Sequence, residues 1–162
     1  ELYEYRVATT KIHYNDFLTV GGMGHASQIA IGIAAHKSRK NIYCLDGDGS
    51  LLMHMGSLAI NAGINCNNFK HIIFNNGSHE SVGGQPTVGH SINFHKIAKE
   101  AGYGHVIVAK TYAQVLNGIK KMETYKEGAS LMEVKISQGT RKELGRPKHS
   151  PIENKILLMK NI

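Results

Sequence analysis

Five short apolar runs constrain this chain more than any other feature. "FLTV" (Phe17 to Val20), "NIYCL" (Asn41 to Leu45), "HIIFN" (His71 to Asn75), "HVIVAK" (His105 to Lys110) and "LMEVKI" (Leu131 to Ile136) are largely non-alternating. Each is rich in apolar residues and bounded by Gly, Asn, Asp or polar neighbours, which is how strands buried on both faces read. Stretches with helical spacing separate them. "HASQIAIGIAAHK" is the first, "LLMHMGSLAINAG" follows the second run and ends at Gly63, and "NFHKIAKEAG" opens at Asn93 and stops at Gly102. "YAQVLNGIKKMETY" places Val115, Ile119 and Met122 on one face. Strand and helix therefore alternate, and the expected class is α/β: a doubly wound parallel sheet with helices on both faces.

The 162 residues suit a single domain, and the expected organisation is one domain over 1–162 with a polar tail from 138 to 162. Within that tail "SPIENKILLMK" reads as a helix beginning near Pro151. The chain starts at Glu1 rather than Met, so it reads as a piece of something longer. With 41% apolar and 19% charged residues it is expected to be a soluble globular chain. No apolar run is long enough to span a bilayer. The net charge of +7 is scattered, without interleaved aromatic platforms, which argues against nucleic acid and suits a general pull on small anions. Cys44 lies inside an apolar run and Cys66 is the only other cysteine. That pattern fits free thiols and a reducing cytoplasm.

Two turns lie where an open parallel sheet gathers ligands, beyond the carboxyl ends of strands. Gly47-Asp48-Gly49-Ser50 follows the second run and Asn75-Asn76-Gly77-Ser78 closes the third, with twenty-five residues between Gly49 and Asn75. Glycines allow close backbone approach, and a following helix offers free N–H groups to a phosphate. Asp48 would repel a phosphate unless a divalent cation lay between them. Mg²⁺ prefers six oxygens, of which Asp48, the Asn76 amide and the Ser78 carbonyl can supply three. Taken singly, Asp48 and Asn76 also read as turn residues at strand ends. The segment from Gly77 to His90, "GSHESVGGQPTVGH", has no period at all, and long irregular loops in compact domains are usually functional or disordered.

"GDGSLLMHMGSLAINAGINCNNFKHIIFNN" resembles the cofactor-binding motif of thiamin-diphosphate-dependent decarboxylases. The resemblance implies a fold that binds the diphosphate of thiamin diphosphate through Mg²⁺, with Asp48, Asn76 and Ser78 as metal ligands. Gly47, Gly49, Ser50 and Gly77 would lie against the diphosphate. It also places the upstream turn "GGMGHA" at the aminopyrimidine, with Gly21, Met23 and Gly24 there and Met23 wedging the cofactor into its bent shape. "SHESVGGQPT" and "LGRPKHSPIENK" are similar to the phosphonopyruvate decarboxylase branch, with sulfopyruvate decarboxylases as near relatives. Position in the motif puts Ser81 and Val82 nearest the cofactor and makes His25, His79 and Glu80 the candidates for proton handling or positioning.

That branch acts on a 2-keto acid bearing a phosphonate, in phosphonate biosynthesis, and releases CO₂. Its activating glutamate is supplied by a second, pyrimidine-binding domain, often from a neighbouring subunit. Neither Glu80, on the wrong side of the motif, nor Glu4, ahead of any expected element, reads as that glutamate. The expected partners are therefore a pyrimidine-side domain or subunit, a small phosphonate substrate, and further copies in a homo- or hetero-oligomer. A non-catalytic phosphate- or nucleotide-binding module is the contrasting class, but no clean G-x-G-x-x-G is present. The remaining histidines show no zinc spacing along the sequence.

Overall fold

The computed structural model describes residues 2–9, 15–145 and 147–162. The chain divides into two compact units, one built from 1–22 and 139–162 and the other from 23–138.

The larger unit holds a four-stranded parallel sheet in the order β1-β2-β6-β5. β1 is Ile42–Gly47, β2 Phe69–Asn75, β5 His105–Ala109 and β6 Ser130–Lys135, while β3 (Ser78–His79) and β4 (Gln85–Pro86) form a small antiparallel pair. Register is fixed by burial. Cys44 pairs with His71, Gly47 with Phe74, and Ile72 with Met132. A slip by one residue would exchange the two faces. One face packs Cys44, Phe69, Ile73 and Leu131 against Ile31, Leu58 and Phe94 of three helices, α2 (Ala26–His36), α4 (Ser57–Ile64) and α5 (Phe94–Ala101). The other packs Ile72, Met132, Val134 and Ala109 against Met122 of α6 (Tyr112–Thr124), with Val115 and Ile119 alongside. Helices thus cover both faces.

The expected single helix after β1 is two. α3 (Asp48–Met53) ends at His54, and α4 starts after Gly56, a residue with poor helix propensity in the middle of the pattern. α4 then runs past Gly63 to Ile64, and Asn65 takes the left-handed conformation (φ 53°) that ends it. Gly102 ends α5 as expected. The aperiodic segment 77–90 is built, not structureless: β3 and β4 flank a 3₁₀ turn at Glu80–Val82, closed by Gly83 and Gly84 at positive φ. The Gly84 amide donates to the His79 carbonyl at 3.0 Å.

The smaller unit contains α1 (Leu2–Thr9) and α7 (Pro151–Asn161). α7 begins as expected, with a capping box between Ser150 and Glu153 and Pro151 in its first turn. "FLTV" is not a strand. Among the described residues no strand pairs with it, and Asn154 Nδ2 donates to the Leu18 carbonyl at 3.0 Å. Glu4 does belong to an ordered element, α1, where it accepts from the Gly145 amide at 2.7 Å and pairs with Arg141. No helix among the described residues is long and apolar enough to cross a membrane.

Candidate functional site at two strand tips

β1 and β2 are paired neighbours, so Asp48 and Asn76, each just beyond its strand, lie at the carboxyl ends of adjacent strands. Asp48 is the first residue of α3 and is buried. Its Oδ2 accepts a short hydrogen bond from the Thr87 hydroxyl. Thr87 in turn donates its backbone N–H to the Gly77 carbonyl at 2.9 Å. Through Thr87 the two turns singled out in the sequence are physically joined.

Asn76 is buried just past β2. Its Oδ1 accepts from the Ser78 N–H at 3.0 Å, and its Nδ2 donates to Glu80 Oε2 at 2.7 Å. Both bonds fix the orientation of the amide, and Ser78 is itself buried. Gly77, at φ +69°, makes the turn, and a Cβ there would run into the His90 ring. A Cβ on Gly49 would likewise strike the His79 ring, so His79 stands directly over the start of α3. Ser50 accepts the Gly24 N–H on Oγ at 2.9 Å, which ties the upstream turn to α3. Met23 beside it is half-buried. Gly21, at φ +75°, belongs to the smaller unit.

The other expected residues are less embedded. Gly47 is the half-buried last residue of β1. His25 is exposed before α2 and lies against His54, ring centroids 4.3 Å apart. His79 and Glu80 are half-buried, while Ser81 and Val82 are exposed on the 3₁₀ turn.

A buried carboxylate supports these turns from below, and the apolar reading of "LMEVKI" passed it over. Glu133 on β6 is fully buried. Its Oε1 accepts from Lys135 Nζ at 2.6 Å and Asn75 Nδ2 at 2.8 Å, and its Oε2 lies 2.9 Å from His95 Nδ1. Burial pushes its carboxyl up, but hydrogen bonds from Lys135, Asn75 and His95 outweigh this and hold it below the ordinary range. Asn75 carries the support upward. Its Nδ2 also donates to the Gly89 carbonyl at 2.6 Å, and its Oδ1 accepts the Gly77 N–H at 3.2 Å. The Gly89 N–H then donates to Thr87 Oγ1 at 3.0 Å. An acid inside an apolar strand was the sequence signal available for this network.

With this geometry in place, residues 2–134 match the family "Thiamine pyrophosphate enzyme, C-terminal TPP binding domain". The chain belongs to that family. That family is a thiamin diphosphate-binding one, and the match takes in both glycine turns just described. The chain is 35% identical over 137 residues to a phosphonopyruvate decarboxylase of Streptomyces viridochromogenes, covering 85% of this chain and 34% of the relative. It is 39% identical over 88 residues to the sulfopyruvate decarboxylase subunit beta of Methanocaldococcus jannaschii, covering 54% and 46%. The chain thus spans about a third of the phosphonopyruvate decarboxylase it matches. A Rhodococcus jostii thiamine diphosphate-dependent 4-hydroxybenzoylformate decarboxylase shares the fold at a TM-score of 0.63 and 20% identity, over 74% of this chain and 24% of that one.

Proposed function

We propose that this chain is the diphosphate-binding part of a thiamin diphosphate- and Mg²⁺-dependent 2-keto acid decarboxylase that converts 3-phosphonopyruvate to phosphonoacetaldehyde and CO₂. The observation that carries the reading is the bridge from Asp48 through Thr87 to the Gly77 turn, which joins the two motifs over a buried carboxylate. The donor set fits the metal. A carboxylate, an amide oxygen and the Ser78 carbonyl are all hard oxygen ligands, as Mg²⁺ requires. Bound thiamin diphosphate would supply the electron sink for loss of CO₂.

The chain's own residues do the rest. Asp48, Asn76 and Ser78 would hold the cation, and Glu80 takes the Asn76 amide nitrogen so that its oxygen faces away from Glu80. Gly49 and Gly77 let the backbone approach the diphosphate. Ser50 holds Gly24, and with it Met23, at the pyrimidine side. His79, over Gly49, is placed to move a proton near the reacting atoms, with Glu80 beside it; His25 is the more exposed alternative. A second domain or subunit completes the site with the activating glutamate, in an oligomer working in the cytoplasm.

Similarity to the sulfopyruvate decarboxylase subunit beta supports a second reading, in which the substrate carries a sulfonate and the other half is a separate chain. Both substrates present a tetrahedral anion, so turnover of each by the complete assembly distinguishes them. Asp48→Ala is the test of the site. Calorimetry should show Mg²⁺-dependent binding of thiamin diphosphate lost in the variant, and unchanged affinity in a folded protein would refute the assignment.

A further inference from the structure

Below the strand tips, inside the packed face of the sheet, three side chains of different chemistry converge. Cys44 and Asp46 are two residues apart on β1 and so share a face, and His71 lies opposite Cys44 across the parallel pair. One donor atom from each lies within 4.8 Å of the other two. The residues are 3%, 5% and 0% exposed. His71 Nε2 stands 3.5 Å from Asp46 Oδ2, and neither atom has a hydrogen-bond partner among the described residues. A buried carboxylate with an unpartnered oxygen carries a desolvation cost that a neighbouring cation would offset.

We propose that Cys44, Asp46 and His71 form a site for a thiophilic divalent cation of the zinc class, separate from the oxygen ligands at Asp48 and Asn76. The charges support it. A thiolate, a carboxylate and a neutral imidazole around a dication sum to zero, which is the least costly state for a buried cluster. The distances support it too. Zinc binds sulfur at about 2.3 Å and nitrogen or oxygen at about 2.0 Å, so its ligands sit roughly 3.5 Å apart. His71 Nε2 and Asp46 Oδ2 already stand at that spacing, and the donor set with Cys44 lies within 4.8 Å.

A partner outside the ligand set orients the histidine. His71 Nδ1 lies 3.2 Å from the Tyr103 hydroxyl. When Nδ1–H donates to that oxygen, the Nε2 lone pair faces Cys44 and Asp46, the arrangement that orients metal-bound histidines. Loading is not a redox step: the Cys44 S–H bond breaks, its proton passes to solvent, and an S–metal bond forms. One coordination position remains for a single water. The ion would pin β1 to β2 two residues ahead of Asp48. Cysteine and histidine are separated by a helical crossover, which is why no spacing pattern in the sequence disclosed them.

The experiment uses the whole chain produced in minimal medium supplemented with cobalt(II) and purified in excess Mg²⁺, which fills oxygen-ligand sites. The expected result is about one cobalt per chain with a cobalt–thiolate charge-transfer band. The band persists in Cys66→Ala, where Cys44 is the sole thiol, and disappears in Cys44→Ala. No thiolate band in the native sequence would overturn the proposal, as would a band lost in Cys66→Ala or retained in Cys44→Ala. If Cys44→Ala does not fold, the native and Cys66→Ala spectra decide. None of these outcomes depends on whether thiamin diphosphate binds.

Discussion

Replacing Glu133 by Ala would remove the carboxylate on which three donors converge. Their environments set the magnitude. Lys135 and His95 side chains are each 28% exposed, so they can turn to water and their loss resembles that of exposed pairs, about 0–1 kcal/mol each. Asn75 is fully buried and keeps only the Gly89 carbonyl for its Nδ2, leaving one N–H unpaired at about 1–3 kcal/mol. The vacated volume adds about 1 kcal/mol. The total is about 4 kcal/mol, within the range for removing one partner of a buried pair. Urea unfolding followed by circular dichroism should show the midpoint falling with an unchanged slope. A loss below about 1 kcal/mol would refute the reasoning.

The same residue has a pH signature. The folded-state carboxyl of Glu133 is held below the ordinary glutamate value of 4.5, so the unfolded chain takes up its proton first as pH falls. The stabilisation is therefore complete above about 4.5 and is lost as pH drops through the lower folded value. The stability gap between native protein and Glu133→Gln should accordingly be widest near neutrality and narrow in acid. Because Glu133 holds Asn75, and Asn75 holds Gly77 and the Gly89–Thr87 segment, Mg²⁺ affinity should also weaken in Glu133→Ala. A variant that lost stability but bound Mg²⁺ as before would separate the support from the site.

Gly49→Ala drives a Cβ into the His79 ring, so thiamin diphosphate affinity should fall at least tenfold by calorimetry while β1 and β2 remain paired; an unchanged affinity would remove Gly49 from the diphosphate surface. Lys70 is buried on β2 and donates to the Asn67 carbonyl at 2.7 Å, the Tyr125 carbonyl at 3.1 Å and Ser130 Oγ at 3.4 Å. Burial lowers its pKa from 10.5 to about 8, so the unfolded chain binds more protons between those values and stability should rise with pH across that window. Lys70→Met should lack that rise in denaturation curves taken from pH 7 to 10.5.

What the sequence disclosed and what it hid divide along physical lines. β1, β2, β5 and β6 were legible because each is a dense apolar run that cannot face water, whereas their order in the sheet comes from the structure alone. "FLTV" has the same local composition, yet strand formation needs an edge to pair with, and no run of four residues encodes its neighbour. The break at Gly56 is a local signal that the surrounding apolar spacing overrode. Asp48, Asn76 and the glycines were singled out because two glycine-bearing turns follow apolar runs at a set distance along the chain. Thr87, Asn75 and Glu133 were not, because each acts through a partner that lies 14 to 58 residues away.

The hidden residues share a location. Along the inner face of β1, β2 and β6 the side chains change from Phe69 and Leu131 to Asp46, Glu133 and Asn75 as the strands approach their carboxyl ends. Each of these polar groups is 5% exposed or less, and each departs from the apolar packing that would make the sheet most stable. Stability alone gives no reason to bury a carboxylate when a similar apolar residue packs as well or better. On this face the two carboxylates and Asn75 lie toward the end of the sheet that carries the glycine turns. It follows that Glu133 and Asn75 serve the turns: they hold the Gly77 and Gly89 segments in fixed register against each other before any ion or cofactor arrives, so that binding does not have to order them.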